Sequence, residues 1–222
     1  MPQPRLFLMT GFALDVRAFA LLDLPPQRVR VLDLIDAEPG DTLASYAARL
    51  VGATDYTPQD WIGGVSLGGM LALEAARQYG TQGLALIAST THPRYIRGIW
   101  HALASVAPEA PEIFLRKLFV SVPRTLHRIG MLQNEGRDLL VGIMEKFPIP
   151  LLRQLPPMIM AWPGCRPVAP LHRLHSRGDW MIRYDGEGQC HDLLPGRHHL
   201  LTVSHPGRTR EFILSLLNEA GG

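Results

Sequence analysis

The glycines around Ser66 are the first feature of this sequence that could support chemistry. Gly64 and Gly68 stand two residues before and two residues after the serine, in the pattern G-x-S-x-G. An apolar run at 61–65 leads into the serine, and a helix-like run at 70–77 follows it. A serine on a sharp turn between a strand and a helix projects its hydroxyl from the sheet edge, and glycines relieve the crowding of that turn. The pattern therefore predicts that Ser66 is a nucleophile on such a turn, rather than an ordinary turn serine.

A serine nucleophile needs an acid and a base further along the chain. The hydroxyl is a poor nucleophile at neutral pH, so a base must take its proton and an acid must orient that base. The turn around Ser66 resembles the nucleophile turn of the α/β-hydrolase fold, and this resemblance implies that the acid follows the serine along the chain and the histidine follows the acid. Asp179 fits the acid because it comes after the apolar run 170–175 and a glycine turn. Asp185 and Asp192 remain alternatives, which otherwise read as turn or surface aspartates.

Three late histidines compete for the role of the base. His199 is preferred because its loop begins with Pro195-Gly196 and follows the last predicted strand, from where it could reach back to the serine. His198 is the nearest alternative, and His205 is interpreted as a cap for the last helix. Three further histidines lack the spacing of a standard metal-ligand set, so no metal site is expected: His172, His175 and His191.

The developing oxyanion of an acyl transfer needs N–H donors. The first apolar run, 6–9, leads into Thr10-Gly11-Phe12. A glycine at position 11 lets the backbone approach a substrate closely. The backbone N–H groups of Phe12 and Leu67 are therefore predicted to form the oxyanion hole.

Short apolar runs alternate with helical patterns along the chain. This alternation predicts an α/β fold with a doubly wound, mainly parallel six-stranded sheet. The predicted strands are 6–9, 29–34, 61–65, 84–88, 170–175 and a weaker run at 190–194. The helices predicted between these strands and after the last one are 42–51, 70–79 and 209–217.

Residues 92–163 break the alternation. They have helical periodicity and many prolines, without a convincing strand. We expect them to form a helical cap inserted into an α/β core made of 1–91 and 164–222; a larger crossover connection is the alternative. Four apolar residues of the segment are candidates for the substrate pocket, although packing inside the cap is the competing role for each: Trp100, Phe114, Leu118 and Phe147.

The composition narrows the class of protein. A hydrophobic fraction of 46% and a charged fraction of 19% are typical of a soluble globular protein, and a net charge of +2 gives no case for nucleic acid. Residues 91–155 carry nine basic and five acidic residues. This local excess leaves two interpretations open, an anionic carrier that presents the substrate or a solvated helical surface.

The two cysteines and the apolar runs bear on location. Cys165 and Cys190 have no metal-ligand spacing and lie outside the motifs, so a reduced, cytoplasmic setting is the default expectation. The first apolar run is too short for the apolar region of a signal peptide. No apolar run approaches the roughly 20 residues that span a bilayer. The oligomeric state is not indicated.

Together these motifs resemble the α/β-hydrolase fold over nearly the whole chain. The tracts that carry the resemblance are 10–12, 64–69, 175–179 and 195–199. The last is similar to the family's "PGxGH" loop, with His199 in the histidine position and His198 in place of the usual glycine. Thr10 replaces the usual histidine of the family's "HG" oxyanion motif, which is expected to alter the hydrogen bonding of that loop without abolishing the hole.

The resemblance implies a serine hydrolase that acts on a small molecule without a cofactor or a metal. The family includes esterases, thioesterases, C–C bond hydrolases and cofactor-free haloperoxidases, and fold alone does not choose among them. Our interpretation is cleavage of a carboxylic ester or thioester through an acyl-enzyme on Ser66. The alternatives are a C–C bond hydrolase or an acyltransferase with the same triad, and a non-catalytic ligand-binding member of the fold.

Overall fold

One parallel sheet organises the protein. The structure is a computed structural model that describes residues 4–219. Its six strands are hydrogen-bonded in the order β2-β1-β3-β4-β5-β6, and every neighbouring pair is parallel. The strands are Leu6–Met9 (β1), Val29–Leu32 (β2), Trp61–Val65 (β3), Leu84–Ile87 (β4), Leu171–Ser176 (β5) and Gln189–Leu194 (β6). The predicted six-stranded parallel sheet is confirmed.

Helices connect and flank the strands. The α-helices are Leu43–Gly52 (α1), Leu67–Tyr79 (α2), Gly98–Val106 (α3), Glu112–Arg128 (α4), Asn134–Met144 (α5), Ile149–Ala161 (α6), Leu201–Ser204 (α7) and Pro206–Glu219 (α8). Two 3₁₀ helices cover Val16–Leu22 and Pro93–Tyr95. Helix α2 begins three residues earlier than its periodicity predicts, directly after the serine turn. Helix α7 was not predicted, because a single turn carries no readable period.

The strand order places a crevice between β1 and β3. The chain passes from β1 outward to β2 on one side and then returns to β3 on the other side. In open parallel sheets, the ligand site lies beyond the carboxyl ends of the strands at such a point of reversal. The loop after β1 contains Gly11 and the loop after β3 contains Ser66. The topology therefore brings the predicted oxyanion loop and the predicted nucleophile to the same place.

Helix α1 shows how the sequence sets an element boundary. Thr42 is its N-cap: the Thr42 hydroxyl accepts from the Ser45 N–H at 3.2 Å, and the Ser45 hydroxyl accepts from the Thr42 N–H at 2.9 Å. This reciprocal pair satisfies two N–H groups that the helix itself cannot bond. The helix buries Leu43, Tyr46 and Leu50 on one face, as the predicted apolar spacing indicates.

Four helices, α3 to α6, lie between β4 and β5 along the chain. The end of this segment contacts the core: the indole N–H of Trp162, the residue directly after α6, donates to the Glu74 carboxylate of α2 at 2.8 Å. Both side chains are buried. The segment is helical as predicted, and its β contribution within the described residues is an isolated antiparallel bridge between Ile96 and Ile182. Its division from the core as a separate cap stays a prediction. Across residues 4–219, none of the helices combines the length and the apolarity that crossing a membrane requires.

Candidate active site

Ser66 lies on a strained turn between β3 and α2. Its backbone angles are φ +53° and ψ −117°, and a positive φ is unfavourable for any residue with a side chain. The surrounding backbone holds the turn in place. The Ser66 N–H donates to the Ile87 carbonyl at 2.9 Å, and the Ser66 carbonyl accepts from the Ser89 hydroxyl at 2.6 Å and from the Gly69 N–H at 3.0 Å. The strain is therefore offset by hydrogen bonds to β4 and the loop after it.

The two elbow glycines stand where no side chain fits. A Cβ placed on Gly68 would overlap the carbonyl oxygens of Met9 and Thr10. A Cβ placed on Gly64 would overlap the backbone of Gly68 and would lie 2.7 Å from the carbonyl oxygen of Met9. The turn is therefore packed directly against the end of β1, and any larger residue at 64 or 68 would displace Ser66.

Ser66, His199 and Asp179 form a continuous hydrogen-bonded series. The Nε2 atom of His199 lies 3.0 Å from the Ser66 hydroxyl oxygen, and its Nδ1 atom lies 2.8 Å from Oδ2 of Asp179. The three residues are 8%, 2% and 1% exposed respectively. Because an ionised carboxylate can only accept, Nδ1 carries the proton and donates to Asp179. Nε2 is then left with its lone pair towards the serine hydroxyl, the orientation that a general base needs.

Backbone groups fix the carboxylate of Asp179. Its second oxygen, Oδ1, accepts from the N–H groups of Met181 at 2.7 Å and Ile182 at 3.0 Å. The Asp179 carbonyl accepts from the Arg97 side chain at 2.8 Å. His175 lies beside this carboxylate, with Nε2 3.1 Å from the carbonyl of Ile182 and 3.7 Å from Oδ2 of Asp179. Burial lowers the pKa of His175. The neutral form of His175 is therefore favoured, and it adds no positive charge beside Asp179.

The alternative acids have other partners. Asp185 forms a fully enclosed ion pair with Arg173. Burial raises the pKa of Asp185, but the Arg173 charge and backbone N–H donors outweigh it and lower the pKa overall. Asp192 lies 3.8 Å from Arg208 near the surface. Neither carboxylate is hydrogen-bonded to His199, whose carboxylate partner is Asp179.

The alternative histidines pack on each other. The rings of His198 and His205 are 4.3 Å apart between centroids, and the His205 Nδ1 atom lies 2.9 Å from the Ser204 hydroxyl. The His198 N–H donates to the Ser176 hydroxyl at 3.2 Å. Within the described residues, the histidine within hydrogen-bond distance of Ser66 is His199. His205 directly precedes α8, and its carbonyl accepts from the Thr209 N–H at 3.0 Å.

The predicted oxyanion donors flank the serine. Leu67 is the first residue of α2, where backbone N–H groups lack partners inside the helix and the helix dipole favours negative charge. On the other side, a Cβ placed on Gly11 would lie 3.5 Å from Cβ of Ser66. The backbone at Gly11-Phe12 therefore passes close to the serine, and a substituent at position 11 would narrow the approach to it.

Two apolar cavities meet at Ser66. The larger lies towards α3 and α6, and the residues that line it away from the serine turn include Ile96, Ala104, Pro156, Ile159, Met160 and Ile182. The smaller lies towards α4 and His199, and the residues that line it alone include Leu14, Phe119, Val122, Met144, Trp180 and Leu200. Both cavities share Phe12, Ser66, Trp100 and Met181. The serine hydroxyl thus faces two apolar compartments.

The structure separates the four predicted pocket residues. Trp100 lines both cavities. Phe147 is buried and packs against Phe12 of the predicted oxyanion loop, with the two rings 6.1 Å apart. Phe114 is 50% exposed and Leu118 is partly buried, and neither is among the residues that line these two cavities. The pocket role predicted for Phe114 and Leu118 does not agree with this placement.

The inward face of α4 is formed by residues other than Phe114 and Leu118. The inward face of the helix carries Leu115, Phe119 and Val122, at the i, i+4 and i+7 spacing of one helical stripe. Phe114 precedes Leu115 and so points about 100° away from it, which leaves Phe114 exposed. Leu118 lies four residues before Val122 and so borders the stripe, where it is partly buried. For Phe114 and Leu118, packing or exposure on the helix surface is the role that this placement favours.

No protein-family model matches this sequence, and no curated protein matches it in sequence. Solved structures do match its fold. The enol-lactonase from Burkholderia xenovorans LB400 superposes with a TM-score of 0.74 at 13% identity, covering 98% of this chain and 92% of that one. The bromoperoxidase from Bacillus anthracis superposes with a TM-score of 0.72 at 13% identity, with the same coverage of both chains. This chain has the α/β-hydrolase fold.

The fold match extends to a thermophilic esterase from Thermogutta terrifontis, with a TM-score of 0.67, 18% identity and coverage of 99% of this chain and 91% of that one. The three α/β-hydrolase-fold proteins named here differ in their reactions, so the shared architecture does not specify a reaction. The chemistry of this chain has to be inferred from its own site.

Proposed function

We propose that this α/β-hydrolase-fold protein is a serine hydrolase that cleaves a carboxylic ester or thioester through an acyl-enzyme on Ser66. The observation that carries the proposal is the series Ser66–His199–Asp179, with contacts of 3.0 and 2.8 Å, buried at the junction of two apolar cavities. A nucleophile, a base within hydrogen-bond distance and an orienting acid are the groups that acyl transfer through serine needs.

In the acylation step, the Ser66 oxygen attacks the acyl carbonyl and His199 accepts its proton. Asp179 holds the imidazole in place and stabilises the imidazolium that forms. The N–H groups of Phe12 and Leu67 stabilise the negative charge on the carbonyl oxygen. The tetrahedral intermediate collapses as His199 gives its proton to the leaving alcohol or thiol, which departs with the bonding electron pair.

Water completes the cycle. A water molecule gives a proton to His199 as its oxygen attacks the acyl-enzyme, and collapse of the second tetrahedral intermediate returns the proton to Ser66 and releases the carboxylic acid. Every proton transfer in this cycle uses His199, so the proposed reaction runs on side chains, backbone amides and water. An acyltransferase would differ in this second half alone, with another acceptor in place of water.

The two cavities favour a small substrate that is apolar on both sides of its acyl carbonyl. The leaving group must accept a proton from His199, so it belongs in the compartment that His199 lines, beside Trp180 and Phe119. The acyl group then enters the larger compartment, beside Ile159 and Met160. Apolar walls of this kind select by size and shape, at about 1 kcal/mol for each methylene group.

The basic residues of the inserted helices add little support for an anionic carrier. Arg116 pairs with Glu112, and Arg124 lies 3.8 Å from Glu145. These two basic residues are therefore matched by carboxylates on the same helical surface, which favours a solvated surface at this place over a docking site for a carrier.

Turnover of p-nitrophenyl butyrate tests the proposal. We expect wild-type protein to release p-nitrophenol and Ser66→Ala to lower kcat by at least about 10³-fold, because the nucleophile is removed while the fold is kept. Ser121→Ala, an exposed serine of α4, is the matched control and should retain wild-type turnover.

Two results would contradict the hydrolase proposal. Equal turnover by wild type and Ser66→Ala would show that Ser66 is not the nucleophile. Saturable binding of the ester without any turnover in the wild type would instead identify a ligand-binding member of the fold.

A further inference from the structure

A second cluster of chemically competent side chains lies away from Ser66. His172 is the second residue of β5, so it lies towards the amino-terminal end of the sheet, whereas Ser66 lies at the carboxyl end. The Nδ1 atom of His172 is 2.8 Å from Nε2 of His191 on β6, and 3.9 Å from a carboxylate oxygen of Glu219. These three ligand atoms all lie within 4.8 Å of one another.

A β-bulge places His191 in this cluster. Arg173 pairs with Cys190 and Leu174 pairs with Asp192, so His191 is the extra residue between them. Bulges redirect a side chain at the cost of regular pairing, and they are frequent next to functional sites.

Aromatic neighbours fix both imidazole rings. The ring of Trp61 lies 5.1 Å from that of His172, and the ring of Phe212 on α8 lies 5.3 Å from that of His191. The two histidines are therefore held in position by the packing around them.

The third member, Glu219, is an acid at an unfavourable place on its helix. It is the last residue of α8, where the dipole is negative, and the last turn of the helix carries no basic residue. The Arg28 guanidinium donates to the carbonyl of Leu217 at 2.6 Å, which ties this helix end to the sheet. A cation between Glu219 and the histidines would neutralise charge that the helix end disfavours.

The ligand set and its spacing fit one small divalent cation. Two imidazole nitrogens and a carboxylate oxygen form a known zinc donor set, with ligand bonds of about 2.0–2.2 Å and a further position for water. A point equally distant from the three ligand atoms lies at most about 2.4 Å from each of them, close to those bond lengths. The two nitrogens need to separate by only about 0.5 Å for tetrahedral binding.

We propose that His172, His191 and Glu219 bind one Zn²⁺ ion at the end of the sheet opposite Ser66. Each imidazole presents a lone pair to the ion when it carries its proton on its other ring nitrogen. The ion links β5 and β6 to the end of α8, three elements that are distant along the chain. Because such a site does not exist in the unfolded chain, the binding free energy adds to the stability of the fold.

Calorimetric titration of Zn²⁺ into chelator-treated wild-type protein tests the site, together with thermal unfolding at saturating Zn²⁺. We expect one ion per chain and a Tm increase of about 5 °C when free Zn²⁺ exceeds Kd by 100-fold. His191→Ala and Glu219→Gln should each weaken binding by at least about tenfold and reduce the Tm increase. Glu219 is exposed, so its variant remains informative if the loss of His191 impairs folding.

His205→Ala is the matched control, because it disrupts the other close histidine pair, His198 and His205. We expect it to bind Zn²⁺ as tightly as wild type. Absence of stoichiometric Zn²⁺ binding to wild type would overturn the proposal. Unchanged affinity in both His191→Ala and Glu219→Gln would also overturn it. Loss of binding in His205→Ala would do the same, because it would place the ion at the pair formed by His198 and His205.

Discussion

Asp179 and Asp185 are acidic residues that follow β5 within one short loop, and their partners give them different roles. Asp179 accepts from His199 and from two backbone N–H groups. Asp185 is paired with Arg173, and both side chains are fully enclosed. One carboxylate thus orients a histidine next to Ser66, while the other compensates a buried guanidinium. The sequence favoured Asp179 because it follows the apolar run and a glycine turn, but the pairing of Asp185 with Arg173 could not be read from it.

This difference predicts opposite effects of the two Asp→Asn changes. Asp179→Asn should lower kcat by about 10³–10⁴-fold with little loss of stability, because an amide favours the wrong imidazole tautomer. Asp185→Asn should lower the free energy of unfolding by about 3–5 kcal/mol, because it leaves Arg173 buried without a counter-charge. Ester turnover and urea unfolding of both variants measure the two effects. An inactive Asp185→Asn of normal stability beside an active Asp179→Asn would reverse the assignment of the acid.

A second prediction concerns the adjacent histidines. His199→Ala should lower turnover by at least about 10³-fold, because the base is removed. His198→Ala should retain most of the activity, because its ring packs against His205 rather than Ser66. Steady-state kinetics on p-nitrophenyl butyrate compares the variants, with circular dichroism as the control for folding. An active His199→Ala beside an inactive His198→Ala would move the base by one residue.

At the scale of elements, the sequence predicts strands better than side-chain directions. Each strand of the sheet was anticipated within two residues at either end, because buried parallel strands are short apolar runs between turns. The four helices between β4 and β5 were anticipated only as a helical segment, since their ends depend on packing with one another and on prolines inside α4 and α6. The face that each helix turns towards Ser66 follows from that packing.

A prediction about substrate specificity compares two phenylalanines of α4. Phe119 lines the smaller cavity, while Phe114 is exposed on the same helix. Phe119→Leu should change the ratio of kcat/KM between esters with small and large leaving groups by up to about tenfold, because a cavity wall loses contact area. Phe114→Leu is the control and should leave the ratio unchanged. Competition assays with pairs of esters measure this ratio of kcat/KM. An altered ratio in Phe114→Leu alone would contradict the prediction, because it would place the pocket on the other face of α4.

At the scale of the whole molecule, the site is assembled from four distant parts of the chain. The Gly11 loop follows β1, the Ser66 turn follows β3, Asp179 follows β5 and His199 follows β6. Parallel strands bring these loops to one edge of the sheet, so a sheet predicted to be mainly parallel was enough to expect them at the same edge. The pairing of His172 with His191 was not predicted, because it depends on a bulge that has no sequence period. The cytoplasmic location and the separate cap remain predictions.

The central claim is that Ser66 is a nucleophile activated by His199. Intact-protein mass spectrometry after exposure to a fluorophosphonate probe tests it most directly, followed by peptide mapping of the labelled site. We expect one phosphonyl adduct per chain on Ser66 in the wild type, none in Ser66→Ala, and labelling slowed by at least about 10³-fold in His199→Ala, because the probe reacts with the activated hydroxyl. Ser121→Ala should be labelled like the wild type. An adduct on another residue, or equal labelling of wild type and Ser66→Ala, would contradict the claim.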